Sequence, residues 1–308
     1  MLPLISICIP TYNQADKLKF LLDSIRVQTF RDFEVIVSDD SNCDDVALLC
    51  NSYSDLPISY YRNQPAKGTP ENWNYAISLA KGTWIKLMHH DDYFSSEDSL
   101  KHFVEFAESN PMIDYVFCAT KLHSLTNEES KISNYVVDKN VLKNIKKQSA
   151  YLFPKNIIGS PSIGLQRKSI NISFDVNLIW LVDVDYFIQL LFNYKVVYLD
   201  KPLITTIISE TQLSKSMSMN PDYELSELAY CYNKFAKKYN RFNRKIMRQR
   251  FIYFLNEFQL YRLNQIKLHT KNAKIPFFVK VYCILSSLSP KIANSLFYRL
   301  NYYQLICN

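Results

Sequence analysis

Trp84-Ile-Lys-Leu-Met-His-His-Asp-Asp-Tyr-Phe94 is a short apolar run that stops abruptly on two adjacent carboxylates, Asp91 and Asp92. Such a run reads as a strand buried on both faces. In a parallel α/β sheet, ligands gather beyond the carboxyl ends of the strands. Two acidic side chains placed there make a hard oxygen site suited to Mg2+ or Mn2+, which would hold a phosphate-bearing substrate. The same pair also fits a plainer role, closing a strand and capping the next helix.

The residues upstream repeat the pattern. Ile5–Ile9 is a continuous apolar run halted by Pro10 and followed by Thr11-Tyr12-Asn13. Leu18, Leu21, Leu22 and Ile25 then recur at helical spacing. Phe33–Ser38 predicts a second strand that ends in Asp39-Asp40-Ser41, with a helix from about Asp44 to Tyr53 and a third strand at Ile58–Arg62. Thr69 as N-cap and Pro70 at the first helical position predict a helix that buries Trp73, Ala76, Ile77 and Ala80 and ends at Gly82. Alternation of this kind predicts a parallel sheet wound on both sides. Three of the four strands end on ligand-capable residues, more than chance supplies comfortably.

Downstream, Ser99–Glu108 reads as a helix and Tyr115–Lys121 as a strand. Residues 124–149 read as a polar surface excursion, and Gly159–Gly164 as a compact turn-rich loop. Trp180–Leu191 passes from loop to helix near Asp183, and Val196–Leu199 predicts one more strand. From Tyr223 the pattern is helical, with Phe251, Phe254, Leu255, Phe258 and Tyr261 on one face. A last segment after Pro290 sets Ile292, Leu296 and Leu300 on one side.

The 308 residues carry a net charge of +7, but unevenly. From Cys231 onward there are 15 Lys/Arg against one acidic residue, Glu257; the first 230 residues hold 21 basic and 28 acidic ones. An acidic body with a basic tail points the tail at something anionic. Seven cysteines without a Cys-x-x-Cys pair suit reduced thiols in a cytosolic protein. Leu4–Pro10 has no basic leader and reads as a strand rather than a signal peptide. No apolar run approaches the ~20 residues of a membrane span; Ile275–Leu285 is interrupted by Lys280. Only four glycines occur, at 68, 82, 159 and 164, and they are expected where a side chain would not fit. Gly-x-Gly-x-x-Gly and the Walker loop are absent, and five scattered histidines form no nucleophilic motif.

The ordered set Ser6-Ile-Cys-Ile-Pro-Thr-Tyr-Asn13, Gln28–Ser41, Asn72-Trp-Asn74, Ala80-Lys-Gly82 and His90-Asp-Asp-Tyr-Phe94 resembles the family 2 glycosyltransferases, inverting enzymes dependent on nucleotide sugars. The resemblance covers roughly the first 200 residues. It implies the GT-A fold, a Rossmann-like mostly parallel sheet with helices on both faces, here with a helical basic C-terminal extension. A catalytic domain would span 1–222, its nucleotide half about 1–94 and its acceptor half about 95–222, with 223–308 helical.

By that resemblance the donor, most readily a UDP-sugar, would be held by Pro10, Thr11, Tyr12, Asn13, Asp40, Asn72 and Asp91, its base stacking near Tyr12. Asp40 would accept from the base N3–H, which suits a carboxylate because it is an acceptor only. Asp91 and Asp92 would bind Mn2+ or Mg2+, with Asp92 coordinating directly; His89 stands where many relatives carry a further Asp, and His89 or His90 could ligate the metal, though either fits a neutral packing position more readily. Asp183 resembles the general base, with Asp185 as the alternative and Val182 where an acidic residue is usual; helix capping is the plainer role for Asp183. Trp180 and the loop with Ser160 would line the acceptor side. The scattered cysteines and the basic tail, taken with the resemblance, give the expectation of a cytoplasmic enzyme, peripheral on the inner face of the membrane, extending a lipid-linked glycan. The basic aromatic tail fits that surface as well as a helical cap with a solvated rim, and nucleic acid is disfavoured. Two rivals stand beside this reading. A sugar-phosphate nucleotidyltransferase shares the layout but needs a Gly-rich loop where Pro10–Asn13 stands. A binding module that kept the fold and lost turnover would account for His89 and Val182.

Overall fold

The computed structural model describes residues 2–125, 130–208, 220–270, 273–289 and 293. Packing divides the chain into two compact units, and the division is not linear. One comprises Met1–Val137, Ile158–Val176 and Gln189–Glu210; the other comprises Asp138–Ile157, Asn177–Ile188 and Thr211–Asn308. The expected boundary at 222/223 is a single cut, whereas two earlier segments, 138–157 and 177–188, group with the C-terminal helices.

The first unit is α/β. Its elements are β1 (Ile5–Thr11), α1 (Ala15–Arg26), β2 (Phe33–Asp39), α2 (Asp45–Asn51), β3 (Ile58–Arg62), α3 (Glu71–Ser78), β4 (Trp84–Leu87), β5 (Asp92–Phe94), α4 (Ser99–Glu108), β6 (Tyr115–Leu125), β7 (Ser130–Tyr135), β8 (Gly164–Arg167) and β9 (Val196–Ile208). The strands form one sheet in the order β3-β2-β1-β4-β8-β6-β9-β5, with β7 paired to β6. β3, β2, β1 and β4 run parallel, as strand–helix alternation predicts. β8 is antiparallel to both β4 and β6, and β9 runs parallel to β6. β1 is central and every one of its residues is buried. α1 covers the sheet with Leu18, Leu21, Leu22 and Ile25, all fully buried; each such side chain is worth about 1.5–3 kcal/mol of transfer free energy.

Several expectations need correcting. β1 is not halted by Pro10 but continues to Thr11. Cys8 accepts from Met88 N–H on the β4 side and Thr11 accepts from Asp40 N–H on the β2 side. Alternation therefore points the Pro10 nitrogen past the end of β4, where no ladder bond is needed. α3 starts at Glu71 with Pro70 at the N-cap and no side-chain cap, so Thr69 does not cap it. Its first free N–H groups are met by the main chain, Asn72 donating to the Gly68 carbonyl and Trp73 to that of Pro70. Residues 124–149 are not a bare excursion, since β6 runs on to Leu125 and β7 pairs with it. Phe258 and Tyr261 lie beyond the end of their helix and are half-buried. The expected helix face at Ile292, Leu296 and Leu300 lies outside the described residues. Gly82 meets the steric expectation, since a Cβ there would lie 2.7 Å from the Ser6 nitrogen, but it does not end the helix, which stops at Ser78 with Leu79 as its C-cap.

The second unit is helical: α5 (Lys139–Lys147), the first turns of α6 (Val182–Asn193), α7 (Pro221–Phe235), α8 (Arg241–Glu257), α9 (Leu263–His269) and α10 (Phe277–Leu288). Asp138 caps α5 by accepting from Asn140 and Val141 N–H. Asn220 and Asn240 cap α7 and α8 in the same way. Aromatic contacts join the helices, with Phe278 of α10 packed 4.9 Å from Tyr232 of α7 and 5.8 Å from Phe251 of α8. Among the described residues no helix is long and apolar enough to cross a membrane.

Candidate functional site

The carboxyl ends of β1 and β2 form a tightly bonded polar edge. Asp40 is 6% exposed, and its Oδ1 accepts from Asn63 Nδ2 at 2.8 Å and Lys67 N–H at 3.0 Å. Its Oδ2 accepts from Gly68 N–H at 2.8 Å. Gly68 has φ +77°, a conformation that glycine adopts without strain, and this turns its N–H onto the carboxylate. A carboxylate has about four acceptor directions, so three donors leave one on Oδ2.

Asn72 spans the two strands. Its amide donates to the Ser38 carbonyl at 3.1 Å and the Thr11 carbonyl at 3.4 Å, and its oxygen accepts from Ser38 Oγ at 2.5 Å. It is 4% exposed, so it holds the edge together from within. Thr11 is buried beside it, whereas the Tyr12 ring is 55% exposed. Asn13 has φ 49° and donates its N–H to Ser41 Oγ at 2.8 Å, turning the chain toward α1. Asn tolerates that conformation better than most residues.

The end of β4 carries the second cluster. One ligand atom from each of His89, Asp91 and Asp92 lies within 4.8 Å of the others. His89 Nε2 and Asp92 Oδ1 are buried with no hydrogen-bond partner. Buried polar atoms without partners, on residues whose ligand atoms lie this close together, fit a divalent cation. Burial, ahead of the Asp91 charge, pushes the Asp92 carboxyl well above its ordinary range, with the Ser162, Thr206 and Ser160 hydroxyls pulling the other way. Burial likewise lowers His89, which keeps its imidazole neutral and able to act as a ligand. His89 also packs on Trp73, ring centroids 4.4 Å apart, so its ring is held in place. His90 is lowered by burial too, and its Nδ1 lies 3.5 Å from the Pro10 carbonyl oxygen, a packing position.

The Gly159–Gly164 loop is fixed to this cluster. Ser160 Oγ donates to Asp92 Oδ2 at 3.0 Å, and Ser162 Oγ accepts from His89 N–H at 2.8 Å. Lys86 is fully buried, and its ammonium donates to the Ser162 carbonyl. Its Nζ also sits 5.0 Å from the Phe103 ring centroid. Burial lowers Lys86 to about 7, against smaller opposing influences from Cys118 and Asp92.

Asp183, Asp185 and Trp180 belong to the second unit, while Ser160 belongs to the first with Asp92. Asp183 and Asp185 stand in the first turn of α6, and the helix begins at Val182, so Asp183 is inside it rather than its cap. Asp183 is half-buried; Asp185 is 0% exposed and its oxygens lie 2.7 and 2.9 Å from Lys234 Nζ. Trp180 is half-buried.

Sequence reasoning missed Lys86, Ser162, Asn63, Glu227 and Lys234. For Lys86 a signal was present, a lone charge inside an apolar strand. For Glu227 it was an acid on the apolar face of α7, where Leu225, Leu228, Cys231 and Tyr232 are buried.

Known proteins resemble this chain in sequence and in fold. The model of the family described as "Glycosyl transferase family 2" matches residues 6–174. An uncharacterized glycosyltransferase of Haemophilus influenzae is 27% identical over 165 residues, 54% of this chain and 53% of its own. The Escherichia coli protein WfaP, named a UDP-Glc:alpha-D-GlcNAc-diphosphoundecaprenol beta-1,3-glucosyltransferase, is 33% identical over 128 residues, 39% of this chain and 51% of its own. The match thus spans about half the length of these two curated relatives. The structure of S. aureus TarS 1-349, solved with UDP-GlcNAc, superposes with a TM-score of 0.60 at 20% identity, covering 88% of this chain and 77% of that one. That likeness shows the GT-A fold.

Proposed function

This chain belongs to glycosyltransferase family 2, and from that premise we propose that it transfers a sugar, with inversion, from a UDP-sugar to a hydroxyl of a lipid-linked glycan. The observation that carries the proposal is the convergence of His89, Asp91 and Asp92 beside the Asp40 edge, each at a carboxyl end of the parallel strands.

The Tyr12 ring, exposed at the end of β1, would stack on the base. The last acceptor direction of Asp40 would take the N3–H of uracil, a donor edge that a carboxylate selects. UDP also agrees with the donors in the names of WfaP and the TarS complex. Asp91, Asp92 and His89 would hold Mn2+ or Mg2+; the imidazole in the set favours Mn2+, which lies beyond Mg2+ toward metals that accept nitrogen. When bound, the ion would neutralise charge on the departing diphosphate, worth several kcal/mol. The acceptor oxygen attacks the anomeric carbon as the bond from that carbon to the diphosphate breaks. The bonding pair leaves with UDP, and the hydroxyl proton passes to Asp183. Inversion needs one base and no protein nucleophile.

Two observations in the second unit support work at the inner membrane surface. α10 exposes Phe277, Ile284 and Leu288 along one side with Lys280, and Leu268 of α9 is 78% exposed beside Lys267. Apolar side chains among lysines suit an anionic lipid surface, and WfaP is named for an undecaprenol-linked acceptor.

A nucleotide-sugar panel read by thermal shift with Mn2+ tests the donor, since a ligand that binds the folded chain raises its Tm by mass action. UDP-glucose or UDP-N-acetylglucosamine should raise Tm and release UDP, and Asp183→Asn should bind the donor but release UDP at least a hundredfold more slowly. Donor binding with no UDP release on any acceptor would favour a binding module.

A further inference from the structure

α7 grips the start of α6 at two points, and these points bracket Asp183. The carboxylate of Glu227, itself only 6% exposed, receives three consecutive backbone N–H groups. Ile179 donates at 2.9 Å, Trp180 at 3.0 Å and Leu181 at 2.7 Å. Leu181 is where α6 begins, because its carbonyl accepts the first helical bond, from Asp185 N–H at 2.9 Å. Charge-assisted bonds of this kind are worth more than neutral ones. Seven residues further along α7, on the same face, Lys234 closes on both oxygens of Asp185.

Asp183 lies between the two anchors along the chain. Residues two apart on a helix do not face each other. Lys234 holds Asp185 through both of its oxygens, and Asp183, two residues earlier, is half-buried. A structural ion pair would need only the second contact. The first fixes the backbone three residues upstream, where no helical bond restrains it.

We propose that Glu227 and Lys234 are positioning residues for the general base, so that the C-terminal helices serve catalysis as well as docking. This rests on the reading of Asp183 as the base. The two anchors set where its carboxylate sits, and the donor is held by other residues, so their loss should lower kcat and leave donor binding intact.

The test is a double-mutant cycle on the full chain with Mn2+, reading UDP release from the sugar nucleotide selected by thermal shift, with UDP affinity measured by calorimetry. Lys234→Met is expected to lower kcat ten- to a hundredfold with UDP affinity unchanged, and to move the acidic limb of the kcat–pH profile. Lys234→Arg should restore kcat to within a few fold, because it keeps the charge on Asp185. Glu227→Gln gives a second variant, expected to lose kcat in the same direction, should Lys234→Met fail to fold. In an Asp183→Asn background neither change should cost anything further. If the losses multiply there, or if kcat is unmoved in the parent, the positioning proposal fails. If Asp183→Asn alone retains parental kcat, the reading of the base fails first and takes this proposal with it.

Discussion

Ser160 donates its hydroxyl to Oδ2 of Asp92 across 3.0 Å, joining a loop to the acidic pair 68 residues earlier in the chain. That bond orients one carboxylate oxygen, while the other is buried without a hydrogen-bond partner. Loss of a group that orients a metal ligand commonly costs 10–100-fold in affinity or activity. Ser160→Ala should therefore raise the Mn2+ concentration for half-maximal UDP release about tenfold, with a smaller effect at saturating Mn2+. A metal titration checks this; an unchanged half-saturation point would remove Ser160 from the site.

Asp40 holds the Lys67–Gly68 turn as well as facing the expected base. Replacement by Asn turns an acceptor into a donor aimed at an N–H group, and a buried unsatisfied donor costs about 1–3 kcal/mol. Asp40→Asn should lower the urea midpoint and weaken UDP more than tenfold. Chemical denaturation and calorimetry on one preparation separate the two effects. Weakened binding at unchanged stability would mean that the turn does not depend on this carboxylate.

The buried Lys86 makes stability depend on pH. In the fold it is lowered to about 7 by burial, whereas in the unfolded chain it titrates near 10.4. Between those values the unfolded chain binds more protons, so stability rises with pH from about 7 toward 10 and is lowest where Lys86 must stay charged in the core. Lys86→Met removes this slope. Compared by urea unfolding at pH 7.5 and 9.5, the parent should gain on the variant by up to about 1.4 kcal/mol per pH unit. Parallel profiles would show that Lys86 titrates normally.

Gly82 is required by space and not by its backbone angles. An added Cβ would meet the Ser6 nitrogen at 2.7 Å and the Ile5 carbonyl carbon at 2.8 Å, both main-chain atoms of the central strand. Gly82→Ala should cost about 1–3 kcal/mol, the usual penalty for overpacking. Gly68→Ala meets no atom within 4 Å but must keep φ +77°, a cost of about 1–2 kcal/mol. Urea midpoints of the two variants check both figures.

What could be read from the sequence was what neighbouring residues decide. β1 to β4 were visible as apolar runs, and α1 and α4 as repeats at helical spacing, because burial periodicity is local. The acidic pair was conspicuous because it interrupts such a run. The partners of those residues were not readable: Ser160 reaches Asp92, Gly68 reaches Asp40 and Glu227 reaches Leu181 through contacts set by topology. Pro10 misled because a proline's tolerance depends on which side of the strand is paired. α5 was overlooked, although Asp138 before Val141 and Ile145 is a readable cap; only Ile145 is buried on it, so its apolar signal is thin.

The central claim is that a divalent ion at Asp91, Asp92 and His89 helps to hold a nucleoside diphosphate. The direct measurement is calorimetric titration of UDP into the protein and into Asp92→Asn, each with and without Mn2+. The account predicts that Mn2+ strengthens UDP binding to the parent at least tenfold and does nothing for Asp92→Asn. Equal UDP affinity in all four titrations would contradict it.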